Sequence, residues 1–302
     1  MSKIKFKVTG SDLEKSIENY LIDCKVRSLS EATIYNYEHM LNDFRLSLRK
    51  SVIVNDLESN DVSNYILYLR NKGNNDISIK NKLKILKAFL KYNNLDIDIP
   101  RIKTVESHKL PYTDEEMTLL LAKPKRKSFA QWRNYTIANF LIGTGVRCAT
   151  ISEILIKDLD FTNNTIFLRK VKNGGQYTIP MSSDLKSVLK QYLSLYDNSD
   201  DDILFPSLYG DKMSRTTIKQ AMREYNHSRG VSRCSIHLYR HTFAYNCIRQ
   251  GMPLPVLQKI LGHSNISTTM QYLNISIVDM KHQFDNYCPL DNMKRKGIKM
   301  KK

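Results

Sequence analysis

The run His237-Leu238-Tyr239-Arg240-His241 places a guanidinium and two imidazoles within five residues. On a helix His237 and Arg240 stand three residues apart and share a surface, which makes an anion-gripping face. Further on, Gly262 is a residue type that stops helices, so His263 falls at a loop edge, and Tyr272 follows nine residues later. Arginine grips a phosphate through a planar two-pronged donor set, and histidine can donate to a non-bridging oxygen. A tyrosine hydroxyl becomes a nucleophile once deprotonated. The ordered combination points to phosphodiester chemistry.

Two more cations precede this cluster. Gly143-Thr144-Gly145-Val146-Arg147 reads as a tight turn that sets Arg147 at the start of a helix over Cys148 to Ile156, where helix-terminal NH groups also favour an anion. Thr165 to Lys170 and Tyr177 to Met181 read as the two strands of a hairpin joined through Asn173-Gly174-Gly175, with Lys172 near its tip, either a solubilising charge or a mobile acid.

The elements that must position these groups are mostly helical. Before the basic stretch from Asp96 to Pro111, apolar residues recur at helical spacing over Ser11 to Leu21, Ser30 to Leu48, Asp61 to Leu69 and Ser78 to Tyr92. The fourth of these interleaves its apolar positions with Lys80, Lys82, Lys84, Lys87 and Lys91, either a solvated face or one turned to a DNA backbone. Pro100 and Pro111 bracket an extended polar segment of linker length. Beyond it, Thr113-Asp114-Glu115-Glu116 opens a helix, Ser128 to Ile142 forms another, and further helices are expected over Ser183 to Leu195, Thr216 to Arg229, His237 to Gln250, Pro255 to Leu261 and Ser267 to Leu273. The expected domains are 1–105, a helical DNA-binding module, 106–289, a catalytic domain, and 290–302, a basic tail. The length of 302 residues suits two cores.

Forty-seven Lys and Arg against 30 Asp and Glu leave a formal charge of +17, which calls for a polyanionic partner, most simply nucleic acid. No apolar run approaches the roughly 20 residues of a spanning helix, and the N-terminal lysines Lys3, Lys5 and Lys7 precede no signal-peptide core, so the expected location is the cytoplasm, on the nucleoid, with no membrane partner. Five scattered cysteines without a C-x-x-C supply neither a disulfide framework nor a zinc module. His237 and His241 lack the intervening Glu of the H-E-x-x-H hydrolases, so no metal and no cofactor are expected.

With these residues laid out, the chain resembles the tyrosine recombinases, the phage integrase family. The matching stretches are Thr144-Gly145-Val146-Arg147, Lys172 in a hairpin, the run from His237 to Ala244, and the run from Leu261 to Tyr272. The resemblance implies a mainly α fold with a small antiparallel β-sheet, in which a helical core-binding domain and a mixed α/β catalytic domain form a clamp round DNA. It further implies that Arg147 and Arg240 bind the scissile phosphate with His237 and His263, that Lys172 is the general acid and that Tyr272 is the nucleophile. Implied partners are double-stranded DNA with paired core sites, a homotetramer in the synapse and accessory directionality proteins. The reaction would be integration, excision, resolution or inversion of a DNA element. Relaxation of the type IB topoisomerase kind, or DNA binding without catalysis, are the alternatives. One departure stands out: the family often has an acidic residue three positions after the first arginine, where this chain has Thr150, with Glu153 a turn further on.

Overall fold

The computed structural model describes residues 12–48, 52–104, 110–125, 128–169 and 175–270. Lys172, Tyr272, the basic tail and the segment from Ile275 to Phe284, which the resemblance implies docks on a neighbouring subunit, lie outside the described residues. The chain divides into two compact units, Met1–Ser107 and His108–Lys302.

The first unit is built on four helices, α1 (Leu13–Val26), α2 (Glu31–Ser47), α3 (Ser59–Asn71) and α4 (Asp76–Tyr92), with one 3-10 turn at Val54–Asp56. Each of the later three starts where a polar side chain satisfies a first-turn NH or the residue before it. Ser30 accepts from the Thr33 NH, Asn75 accepts from the Ser78 NH, and the Asp61 carboxylate accepts from the Glu58 NH. These caps explain why α3 and α4 begin two residues earlier than apolar spacing alone suggests. Their inward stripes meet in a core containing Leu13, Ile17, Tyr20, Leu41, Phe44, Tyr65, Leu83 and Phe89. Lys80, Lys84, Lys87 and Lys91 are exposed on α4, whereas Lys82 is drawn onto Asp43, which also receives Lys72.

The second unit holds eight helices among the described residues. The start of α5 (Asp114–Leu120) is a reciprocal box in which Thr113 accepts from the Glu116 NH and the Glu116 carboxylate accepts from the Thr113 NH. α6 (Phe129–Thr144) is apolar on several sides and runs through the core, burying Ile137, Ala138, Phe140 and Leu141 completely. It ends at Gly145, whose φ of +62° is a left-handed cap.

α7 (Cys148–Ile151) is shorter than the helix expected to reach Ile156. Leu155 is pulled out to pair with Ile203, and the Ile156 NH donates to the Asp202 carbonyl, so the chain leaves the helix to meet a distant segment. A three-stranded antiparallel sheet follows in the order β1 (Leu159–Asp160), β2 (Thr165–Leu168), β3 (Tyr177–Pro180). The expected hairpin is β2 and β3, with Thr165 opposite Pro180 and Leu168 opposite Tyr177. β1 is an addition whose two residues carry too little pattern to be read. α8 (Ser183–Leu193), α9 (Arg215–Ser228), α10 (Ile236–Arg249), α11 (Leu254–Leu261) and α12 (Ile266–Met270) complete the unit. α10 packs on α6, and a small cluster of Ala244, Ile248, Leu257 and Leu261 seats α11 against α10.

Candidate active site

α10 is held from below by a buried polar network. The Tyr239 hydroxyl donates to Asn226 Oδ1 at 2.6 Å, and Asn226 Nδ2 donates to the Tyr112 hydroxyl at 2.8 Å and to the Arg233 carbonyl at 2.9 Å. Thr242 Oγ1 accepts from the Tyr112 NH at 2.9 Å. These bonds fix the rotation of α10, and with it the direction of Arg240, the residue after Tyr239.

Arg240 is 4 % exposed and its guanidinium is docked on main-chain oxygens. Nη1 donates to the Gly145 carbonyl at 2.7 Å and Nη2 to the Leu261 carbonyl at 2.9 Å. Arg147, the residue just before α7, brings its Nη1 to the same Leu261 oxygen and to that of Gly262, each at a long 3.4 Å. Two guanidinium groups from distant parts of the sequence thus converge on the left-handed turn that ends α11. His263, 8 % exposed, places Nε2 2.6 Å from Arg240 Nη2 and Nδ1 2.8 Å from Thr269 Oγ1. Burial, then the charges of Arg240 and Arg147, push the His263 pKa down to about 4.

Two glycines make this close packing feasible. A Cβ on Gly145 would lie 2.3 Å from Phe243 Cδ1, and one on Gly262 would lie 2.6 Å from the Tyr177 hydroxyl. The Tyr177 ring therefore rests on Gly262, and its hydroxyl donates to the Ile260 carbonyl at 3.3 Å, which ties the loop-side end of β3 to the end of α11. Burial pushes the Tyr177 hydroxyl pKa up, while Arg240 and Arg147 pull it the other way, so both guanidinium fields reach that strand.

Of the residues singled out from sequence, Arg147, Arg240 and His263 are brought together. His237 sits exposed in the first turn of α10, three residues before Arg240. Lys172 falls between β2 and β3 in the chain, and Tyr272 follows α12, both outside the described residues. The acidic partner missing at Thr150 is not replaced by Glu153, which pairs with Lys212 at 2.8 Å. Among the described residues Arg147 makes no ion pair and leans on carbonyl oxygens instead. The residues that sequence reasoning overlooked are Thr269, Tyr177 and the Tyr112–Asn226–Tyr239 network. Among the described residues no group of three or more His, Cys, Asp and Glu is arranged for a metal ion, and no helix is long and apolar enough to cross a membrane.

Residues 111–277, more than half of the chain, match the model of the phage integrase family, and residues 17–94 match its N-terminal SAM-like domain. The chain belongs to the phage integrase family. Among its relatives is tyrosine recombinase XerC of Staphylococcus saprophyticus, 28 % identical over 291 residues that span 92 % of this chain and 98 % of that protein. Tyrosine recombinase XerA of Pyrococcus furiosus is 26 % identical over 283 residues, covering 92 % of this chain and 95 % of its own. The Tn1549 transposon integrase, solved in complex with transposon right end DNA, superposes with a TM-score of 0.72 at 18 % identity, over 92 % of this chain and all of the solved one. The mainly helical phage integrase fold, with its small antiparallel sheet, is the one expected from the resemblance.

Proposed function

We propose that this member of the tyrosine recombinases performs site-specific DNA strand exchange with Tyr272 as nucleophile and with Arg147, Arg240, His237 and His263 round the scissile phosphate. The observation that carries the reading is the convergence of Arg147 and Arg240 on the Leu261 carbonyl, with His263 against Arg240. The Tyr272 oxygen attacks phosphorus in line and forms a 3′-phosphotyrosyl bond. The 5′ oxygen leaves, and Lys172 gives it a proton. Extra negative charge in the transition state falls on equatorial oxygens that face these side chains, and a preorganised donor is worth about 10² to 10³ in rate. The covalent bond conserves the energy of the broken one, and a 5′ hydroxyl from a second duplex reverses the attack to complete the exchange.

The partner is double-stranded DNA with paired core sites, in keeping with a charge of +17. The first 105 residues serve as the core-binding module, 106–289 as the catalytic domain, and the basic tail 290–302 adds to the electrostatic attraction. The synapse is a homotetramer in which the chain beyond Tyr272 docks on a neighbour, and accessory proteins set direction. The setting is the cytoplasm, on the nucleoid, with a mobile element as the substrate. Relatives named tyrosine recombinase favour strand exchange over relaxation of a single duplex.

A nicked suicide duplex carrying the cognate site tests the reading. Wild type should be trapped as a covalent adduct and Tyr272→Phe should not. An adduct of equal yield with Tyr272→Phe overturns the nucleophile assignment.

A further inference from the structure

An arginine side chain has donors only, so a nitrogen in hydrogen-bond contact with it must accept. The His263 Nε2 that lies 2.6 Å from Arg240 Nη2 therefore carries no proton. In a neutral imidazole the proton is then on Nδ1, which lies 2.8 Å from Thr269 Oγ1. The threonine hydroxyl accepts it. Any other assignment breaks a contact: a ring protonated on Nε2 aims a donor at a donor, and an imidazolium does so while adding a third positive charge beside Arg147 and Arg240. Thr269 is fully buried and His263 nearly so, which keeps water from competing for either nitrogen. The histidine backbone is itself pinned, since Gln258 Nε2 donates to its carbonyl at 3.0 Å.

We propose that Thr269 is a positioning residue for strand cleavage: by accepting from Nδ1 it holds His263 in the tautomer whose Nε2 accepts from Arg240, and so sets the plane in which that guanidinium meets the phosphate. The inference deepens the function proposed above and rests on it for the role of Arg240. Burial and the two neighbouring guanidinium groups, which depress the His263 pKa, favour the same neutral ring. In this arrangement His263 is a carrier for Arg240. Donation from Nε2 to a phosphate oxygen requires a proton on that nitrogen, and so follows a shift of the Arg240 Nη2 contact away from the ring.

The tautomer is read directly by imidazole ¹⁵N correlation spectra of the full-length chain near neutral pH without DNA, with the His263→Gln spectrum identifying the resonance among the seven histidines. Wild type should show His263 protonated on Nδ1. Thr269→Val, which keeps the size and removes the hydroxyl, should lose that fixed tautomer. It should also slow single-turnover adduct formation by about 10- to 100-fold with DNA affinity unchanged, as removal of orienting partners does elsewhere. Thr269→Ser should restore both. A wild-type ring protonated on Nε2 overturns the proposal, as does a Thr269→Val protein with wild-type tautomer and rate. If Thr269→Val does not fold, the wild-type spectrum alone decides. Because the spectrum needs no reaction, an adduct that persists in Tyr272→Phe would sink the functional reading while leaving the tautomer result standing.

Discussion

Arg240 donates through Nη1 to the carbonyl of Gly145 at 2.7 Å, a bond that spans 95 residues of sequence. It joins the central helix α10 to the cap of α6, and it exists because Gly145 holds a φ of +62° that turns its carbonyl toward the guanidinium. The chemistry of the site is thereby tied to a turn.

Gly145→Ala should break that tie. An added methyl meets Phe243 Cδ1 at 2.3 Å and Leu261 Cδ2 at 2.9 Å in a left-handed backbone. Backbone strain and overpacking together should cost about 2 to 4 kcal/mol. Chemical denaturation should show the loss, and adduct formation should fall even where the variant stays folded. A midpoint equal to wild type would contradict the described turn.

Arg240→Lys keeps the charge and removes the fork. An ammonium cannot span the Gly145 and Leu261 carbonyls while also meeting His263 and a phosphate, so the cleavage rate should drop by about 10² to 10³. Single-turnover trapping on a suicide duplex measures this, and retention of more than a tenth of the rate would argue against a transition-state role for the guanidinium.

The His263 pKa of about 4 lies below its ordinary value of 6.5. Between those two pH values the unfolded chain binds a proton that the folded chain refuses, so stability rises with pH across this window. The contribution of the neutral ring is complete above about pH 6.5 and is lost as pH falls toward 4. Melting of wild type and His263→Gln across the window should converge in acid. A constant gap between them would show that the ring titrates normally.

Asp43 holds Lys72 at 2.8 Å and Lys82 at 2.6 Å in the first unit. Burial alone would raise its carboxyl pKa, but hydrogen bonds from both lysines outweigh this and leave it below the usual range. Asp43→Asn should therefore destabilise the chain by about 1 to 3 kcal/mol at neutral pH. The difference from wild type should shrink as pH falls through the lowered carboxyl pKa, because the wild-type advantage exists only while the carboxylate is ionised. Thermal melts at neutral and acid pH compare the two.

Much of this was readable from local signals. Ser30, Thr113 with Glu116, Gly145 and Gly262 mark helix ends because a cap acts within a few residues of the chain it ends. The two arginines and His263 were readable because their types and order belong together in phosphate chemistry. What escaped depends on partners far away in sequence. α7 stops early because Leu155 pairs with Ile203, and Asn226 is bound to Tyr112 across 114 residues. Thr269 looks like one more polar residue in a short helix until His263 is seen beside it. The missing acid at Thr150 was legible in the sequence, but the Leu261 and Gly262 carbonyls that Arg147 meets instead, 114 and 115 residues away, were not.

That substitution of a peptide oxygen for an acid has a consequence for inheritance. The Leu261 carbonyl shared by Arg240 and Arg147 belongs to no side chain, so no exchange of residue 261 for another can delete it. Leucine there is free to drift as far as its packing permits, while the backbone must keep the left-handed turn at Gly262, where φ is +61° and the Tyr177 hydroxyl stands where a Cβ would lie. The anchor of this cationic pair is thus written into the course of the main chain and into no single side chain.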